Sequence, residues 1–464
     1  MTFGRPSIAS VAAFRGWRAM RHRNFRLFMA GQLVSLIGTW MQMVAQSWLV
    51  LQLTGDPFWL GVVAAAQFGP VLILGLFGGI VADSLPKRKT LIVTQTTAMA
   101  LAFVLFGLTA SHQVEVGHVV VLALLLGVVN SIDMPTRQAF AVEMVGREDI
   151  GNAIALNSAV FNGARVVGPA VAGLTIGATD ISIAFLVNAI SFLAVLLAYA
   201  RMDEAALSSP PRLARPETAR GVIADLGEGL RYVRTTPLVL LPMLVIGLVS
   251  TFGMNFSVVI PAVAQDILHV GAEGYGFLMA ASGIGSFIVA MAIAFGRRSR
   301  PALIGLGAVA LGAAELLLAV SGSFGLSLAA MFVVGLGGIA MAATGNTTIQ
   351  LTVPDQLRGR VMSVYTTVFA GSTPVGGLFA GVLASSFGVP FSVAVGGAGS
   401  LIVGLAGYAW YRRLAPAMAD RPVAILPTAA PLGAEPAAGI SGPVPAGTAG
   451  GGAPGPARRS TGRG

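Results

Sequence analysis

Apolar residues in this chain run in long blocks separated by short polar or charged connections, without the strict alternation of a half-buried strand. A helix needs about 20 mostly apolar residues to cross the hydrocarbon core of a bilayer. Twelve windows of that length are present, at 25–52, 58–82, 90–110, 118–138, 152–177, 181–200, 238–262, 275–296, 301–320, 325–349, 361–384 and 390–411. In lipid the backbone must satisfy its own hydrogen bonds, so only helices and closed barrels span it, and barrel strands would show a short alternating repeat. The pattern predicts an all-α integral membrane protein with twelve transmembrane helices.

Composition agrees. Of 464 residues 55% are hydrophobic and only 10% charged, with a mean hydropathy of +0.80, whereas soluble domains are about a quarter charged. That excludes a secreted domain, a cytosolic enzyme and a disordered chain. The absence of cysteine removes disulfides, thiol nucleophiles and iron–sulfur or cysteine zinc sites. His22, His112, His118 and His269 show no ligand spacing, so neither metal nor cofactor is expected. The net charge of +10 suggests nucleic acid until the charges are located: with the N-terminus inside, 28 of 29 basic residues fall on cytoplasmic segments and only Arg165 falls within a span. The outer loops carry only acids: Asp56, Glu115, Asp180, Asp266 and Glu273. This asymmetry predicts a multi-pass plasma (inner) membrane protein with both termini cytoplasmic, its basic charge serving topology rather than nucleic-acid binding.

Residues 145–173 align without a gap on 353–381, with nine of 29 positions identical, among them Phe161/Phe369, Gly168/Gly376 and Gly173/Gly381. Chance would give about two or three, so the repeat is real. Its offset of 208 residues spans six windows, an even number, so the copies run the same way and predict two parallel, pseudo-symmetric six-helix bundles. The expected organisation is a basic arm at 1–24, with Phe14 and Trp17 at the lipid interface and no cleavable leader, then bundles at 25–201 and 237–413. A cytoplasmic linker at 202–236 joins them, Pro-rich from Ser208 to Pro216. In it Ile223, Leu226, Leu230 and Val233 fall at helical spacing and predict an amphipathic helix on the membrane face. The Pro/Ala/Gly-rich stretch 414–464 is expected to be disordered. Nothing requires a second subunit, so a monomer is expected.

Polar groups inside lipid need partners or water. On the first span Gln32, Ser35, Thr39, Gln42 and Gln46 follow one another at steps of three and four, one continuous stripe that either lines a pathway or glues helices together. Asn162 and Arg165, following Ser158 on the fifth span, and Thr251 and Asn255 on the seventh, are further pathway candidates, with Ser282 and Ser286 on the eighth. Intramembrane charges mark function by default. Arg165 is a mid-span cation without an acid three or four residues away, expected to face a central cavity and attract an anionic group. Asp133 and Glu315 are candidates for proton coupling, Asp133 with Arg137 four residues on as an ordinary ion pair instead. Gly168-Pro169, with Gly173, predicts a rigid bend with close helix packing. Gly79 and Asp83, four apart at the cytoplasmic end of the second span, offer a small contact face and a carboxylate for a helix N-terminus or a cation. The Gly-x-Gly runs at Gly305 and Gly335 lie inside spans, and no Walker lysine motif exists, so no nucleotide is expected.

Gly79, Asp83, Lys87 and Arg88 match the loop signature between the second and third helices of the major facilitator superfamily, with Ser84 and Pro86 where arginine and glycine are usual. Gly168-Pro169-Ala-Val-Ala172-Gly173 is similar to the Gly-Pro motif of drug–proton antiporters. RHRNFRLFMAGQLVSLIGTWMQ, DMPTRQAF, NAIALNSAVFNGARVVGPA and VPDQLRGRVMSVY resemble the branch holding enterobactin-type siderophore exporters and drug-efflux relatives, over about residues 20–413. The resemblance implies the major facilitator fold and proton-driven efflux of a small amphipathic siderophore or drug, with no enzymatic activity. It implies a cytoplasmic gate of Gly79, Asp83, Lys87, Arg88, Arg137 and Arg360, in which Asp83 docks near Arg360 when the cytoplasmic side is shut. An importer or facilitator on the same fold stays open at this point, as does a non-transporting sensor or scaffold.

Overall fold

The computed structural model describes residues 17–207, 219–295 and 300–419, and every long element in it is a helix. The first half holds α1 (Arg23–Thr54), α2 (Pro57–Ser84), α3 (Lys87–Ala110), α4 (Val116–Gly146), α5 (Glu148–Ala178) and α6 (Ile181–Ala200). A separate helix, α7 (Ala219–Thr235), precedes α8 (Pro237–Ile267), α9 (Gly271–Phe295), α10 (Ala302–Val320), α11 (Phe324–Thr352), α12 (Asp355–Phe387) and α13 (Val389–Ala419). Twelve of these, all but α7, are long and apolar enough to cross a membrane. An even number of spans puts the start of α1 and the end of α13 on one face, the termini face; the opposite one is the far face.

Connections are short because the sequence supplies the turns. Gly55 (φ 64°) closes α1, its N–H donating to the Leu51 carbonyl at 2.8 Å, and Gly146 (φ 73°) separates α4 from α5 with almost no loop. Both need the left-handed region open to glycine. Several helices outrun their apolar windows. The fourth runs on past 138 to Gly146, and Glu143 on this extension accepts from Lys87 of α3 at 2.7 Å. The last continues to Ala419, so the first residues of the stretch expected to be disordered are helical. The rest of that stretch, Phe14 and Ser208–Pro216 lie outside the described residues.

Lipid offers no hydrophobic drive between helices, so close approach through small residues holds such bundles together. Two matched pairs of contacts clamp the halves toward the far face. A Cβ on Gly276 (α9) would lie 2.5 Å from the Pro169 carbonyl oxygen (α5), and one on Gly61 (α2) 2.5 Å from that of Gly377 (α12). Gly173 approaches the Glu273 carbonyl and Gly381 that of Pro57 in the same way, at 3.0 and 3.1 Å. Since 169 and 377, and 173 and 381, are repeat partners, this clamp is the internal repeat made physical. Trp48 of α1 stacks on Tyr275 of α9 across the halves, centroids 6.2 Å apart, and one apolar core joins Leu60 and Val63 to Val258 and Leu278. Toward the termini face the cores are separate: Phe25, Phe28, Phe140 and Tyr199 in the first half, Val239, Met243, Ile349 and Val361 in the second.

The linker helix α7 is amphipathic, but it rests on protein. Leu226 and Val233 join the second half's termini-side core, Leu230 is partly exposed, and the side chain of Ile223 lies outside the described residues. Asp225 and Glu228 accept from Arg360 of α12 at 2.8 and 2.6 Å. Across the same face Arg18, Arg21 and His22 converge on buried Asp149 at 3.3, 2.9 and 3.0 Å, while Trp17 is exposed.

A valine at Gly276 or Gly61 cannot share its place with the opposing carbonyl, so each substitution should pry at the far-side seal. Overpacking of this kind costs about 1–3 kcal/mol. Purified Gly276→Val should melt earlier than wild type, and a single cysteine at Ser257, which borders the inter-half cavity with Gln46 and Gln67, should react faster with a thiol reagent supplied from the far side. Unchanged melting with unchanged labelling would mean the contacts do not hold the seal.

Candidate transport cleft

On α5, Ile154, Ser158, Phe161 and Arg165 follow at steps of four, three and four and therefore share one face. Ile154, Ser158 and Phe161 are exposed and Arg165 half-buried. Val167 and Leu174, on the opposite face, are exposed as lipid-facing residues are. Two polar groups and an aromatic opposite the lipid side therefore line space between the halves. The same face closes toward the far side, where Ala172 is fully buried. The repeat puts Thr366, Phe369 and Thr373 at the matching positions of α12, where Thr366 and Phe369 are exposed and Tyr365 stacks on Phe369 at 6.2 Å. Two walls, each with a phenylalanine and a hydroxyl, thus border a cleft open toward the termini face.

Arg165 is the charged group in this wall. Its guanidinium lies 5.7 Å from the centre of the Trp40 ring, and Trp40 meets Phe161 edge-on at 5.8 Å. No acid or hydrogen-bond acceptor pairs with it among the described residues, so it holds a cation–π contact and five unused donors. Thr39, next to Trp40, is exposed, its hydroxyl donating back to the Ser35 carbonyl at 2.9 Å.

The rest of the polar stripe on α1 is buried and bonds helix to helix. Gln42 accepts from Asn188 of α6 at 2.5 Å, Gln46 donates to Gln67 of α2 at 3.2 Å, and Gln32 accepts from Arg137 of α4 at 3.1 Å. Ser35 is buried as well. Asn162 and Thr251 return their donors to their own helices, at the carbonyls of Ser158 and Gly247. Asn255 does the same to Thr251 at 2.8 Å and is buried. Ser282 and Ser286 are buried, Ser286 donating to the Gly335 carbonyl. Of these candidates Thr39 and Arg165 reach the cleft; Trp40, Phe161, Tyr365 and Phe369 line it as well, with no polar pattern to mark them. The repeat held the signal, since Phe161 and Phe369 are among its identities.

The Gly-Pro motif works as a contact hub. The helix stays regular through Pro169 instead of breaking there. A Cβ on Gly168 would lie 2.5 Å from that of Trp40 and 2.8 Å from the Ile37 carbonyl, so α5 presses on α1 with one side of the motif and on α9 with the other.

Near the termini face the four gate cations are engaged locally. Lys87 donates to Glu143 at 2.7 Å, Arg88 donates to the Tyr199 carbonyl at 2.7 Å and pairs with Glu204, and Arg360 is held by α7. Asp133, fully buried, accepts from Thr94 and Gln95 at 2.7 and 2.8 Å and pairs with Arg137. Gly79 lies within α2, and the side chain of Asp83 lies outside the described residues. Among the described residues, none of Lys87, Arg88, Arg137 and Arg360 pairs with the opposite bundle. Glu315 sits away from the cleft, buried within the second half.

A family model described as "Transmembrane secretion effector" matches residues 14–445. The chain is 22% identical to the staphyloferrin A transporter of Staphylococcus aureus, over 84% of this chain and 96% of that protein. It is 29% identical to the multidrug efflux pump Tap of Mycolicibacterium fortuitum, over 78% of this chain and 90% of the pump. Among solved structures it superposes on a mutant of the nucleoside transporter NupG with a TM-score of 0.69 at 12% identity, covering 84% of this chain and all of the other, a likeness of fold. The fold, the paired bundles with a cleft between them and the match along nearly the whole chain meet in one conclusion: this protein belongs to the transmembrane secretion effector family of the major facilitator superfamily, and is a multi-pass membrane transporter rather than an enzyme.

Proposed function

We propose that the chain exports a small amphipathic molecule, of the siderophore or drug kind, across the plasma membrane by alternating access, with inward proton flow as the driving force. The observation that carries the reading is the cleft itself, walled by Phe161 and Phe369, holding an unpaired Arg165, open toward the termini face and sealed toward the far face. The one-sided distribution of basic residues supports a cytoplasmic termini face, on which reading the open cleft is the loading state of an exporter. A cargo with a flat apolar part and an acidic or acceptor group fits: the aromatics take the first, the free guanidinium donors the second. The staphyloferrin A transporter and the efflux pump Tap point to the same kind of cargo. The protein acts as a monomer, with no nucleotide.

Closing the cytoplasmic side needs a latch that both forms and breaks in each cycle. Asp83 at the end of α2 fills that role by docking on the N-terminal end of α12 near Arg360, a contact worth about 0.3–1 kcal/mol, or about 2 if partly buried. In the cytoplasm-open state Arg360 is engaged instead by Asp225 and Glu228.

Inside-out vesicles should take up a lipophilic dye or a carboxylate siderophore when, and only when, a proton gradient is imposed; uptake confined to right-side-out vesicles would make the protein an importer. Arg165→Ala should lose about ten- to a hundredfold in apparent affinity for an acidic cargo, the worth of a charge-assisted hydrogen bond, with melting unchanged. Phe161→Ala and Phe369→Ala should each lose about two- to tenfold; wild-type transport by all three variants would remove the cleft from the pathway. Asp83→Asn should slow turnover and raise cysteine labelling at the cytoplasmic mouth, by up to about thirtyfold where the docked carboxylate is partly buried. Wild-type turnover and labelling in that variant would leave Asp83 with no part in the gate.

A further inference from the structure

Glu315 is the one ionisable residue on α10, and it is enclosed by its own half. Its Oε2 atom is buried with no hydrogen-bond partner, and so is Oγ of Ser400 on α13. The two atoms face the same point, since a Cβ on Gly253 would lie 2.9 Å from Glu315 Oε2 and 2.3 Å from Ser400 Oγ. Space for the carboxyl is kept by glycines. A Cβ on Gly396 would lie 2.7 Å from the Phe252 carbonyl oxygen and 3.8 Å from Oε2, and one on Gly397 3.0 Å from the Glu315 Cβ. Beside them is a cavity about the size of one water molecule, lined among others by Phe252, Asn255, Glu315 and Ser392.

The neighbouring helix is broken at this level. Within α8 the first regular stretch ends at Phe252 and the next begins at Phe256, with Asn255 bridging the gap by its side-chain donations to the carbonyls of Thr251 and, at 3.4 Å, Phe252. Among the described residues, no charged or titratable side chain from α8, α11, α12 or α13 lines the cavity with Glu315. An ionised carboxylate there would have many acceptor sites, a single hydroxyl to satisfy them and no cation. A neutral acid has one O–H to give, and the Phe252 carbonyl and Ser400 Oγ are within the same small space to take it.

We propose that Glu315, Ser400 and the unwound segment of α8 form a proton-binding site, loaded in this cytoplasm-open state, whose discharge loosens the far-side seal. The link is α8 itself. Beyond its break the helix lines the cavity with Phe256, Val259 and Ile260 and, through Val258 and Ser257, meets α12, α1 and α2 at the junction of the halves. When the O–H bond breaks, the proton passes to water entering the cavity. The carboxylate left behind has no partner unless the segment around Gly253–Asn255 rearranges, and with it the part of α8 that belongs to the seal. This inference rests on the proton-driven export reading for its direction but not for the site.

The test is read without cargo. Infrared difference spectra of the purified wild-type protein at neutral pH should contain a protonated-carboxyl C=O band that Glu315→Gln removes and Ser400→Ala displaces without removing. A single cysteine at Ser158, in this cysteine-free chain, should label more slowly from the cytoplasmic side as the buffer turns alkaline. Expressed relative to the same cysteine in Glu315→Gln, which cancels the thiol's own response to pH, the fall should be about threefold or more. A band that survives Glu315→Gln, a band abolished by sodium at constant pH, or a labelling ratio flat with pH would each overturn the proposal. If the band and the labelling behave as expected while vesicles show no proton-driven uptake, the export reading fails and the proton site stands; uptake that persists unchanged in Glu315→Gln removes Glu315 from coupling and leaves export intact.

Discussion

Everything the cleft does depends on backbone meeting backbone at four glycines on the far side. Gly61 on the Gly377 carbonyl and Gly276 on the Pro169 carbonyl bring α2 to α12 and α5 to α9 closer than any side chain allows. Within a membrane this is how helices gain attraction, because lipid is as apolar as leucine and burial alone favours no particular neighbour. It also makes the joint bistable. Contacts of this shape either seat or separate, and a packed interface does not deform gradually. With the far side seated, the termini-side ends part, and each bundle closes there on an apolar core of its own.

The repeat explains why the clamp comes in matched pairs and also where symmetry fails. Arg165 in the first copy corresponds to Thr373 in the second, and Pro169 to Gly377. α1 is an unbroken helix of 32 residues, while α8, at the same place in the second half, is interrupted beside an acid. A duplicated frame therefore carries two different chemistries: a cation with aromatic neighbours on one side, and a buried carboxyl at a helix break on the other.

Much of the architecture was legible in the chain. Span number and the parallel halves follow from hydropathy and the repeat, because lipid imposes one length and one hydrogen-bonding rule on every crossing segment. The lining of the cleft was less so. A stripe at steps of three and four identifies a helix face but not what that face meets, and on α1 it meets α2, α4 and α6, so that Gln42 and Gln46 satisfy each other's kind. Arg165 stood out because a lone mid-span cation is costly wherever it points. Phe161 did not, since an aromatic in lipid costs nothing and so carries no signal until its repeat partner is seen on the opposite wall. Helix ends differ from the apolar windows where an ion pair such as Lys87–Glu143 lets a helix carry charge beyond its window.

On the export reading, cargo and proton need not meet. Arg165 touches Trp40 of α1, and two turns farther along the same helix Trp48 stacks on Tyr275 of α9 across the seal. From the other half, α8 joins the same junction beyond its break beside Glu315. Both sites thus act on one joint through the first helix of each half. Exchange of cargo for proton then requires only that each favour a different seating of that joint, since two ligands with opposite preferences between two states are coupled by the equilibrium they share. A common binding residue would make them compete directly. Separate residues on a shared hinge allow the cleft to vary its walls for different cargoes while the buried carboxyl, sealed from them, keeps its protonation chemistry unchanged.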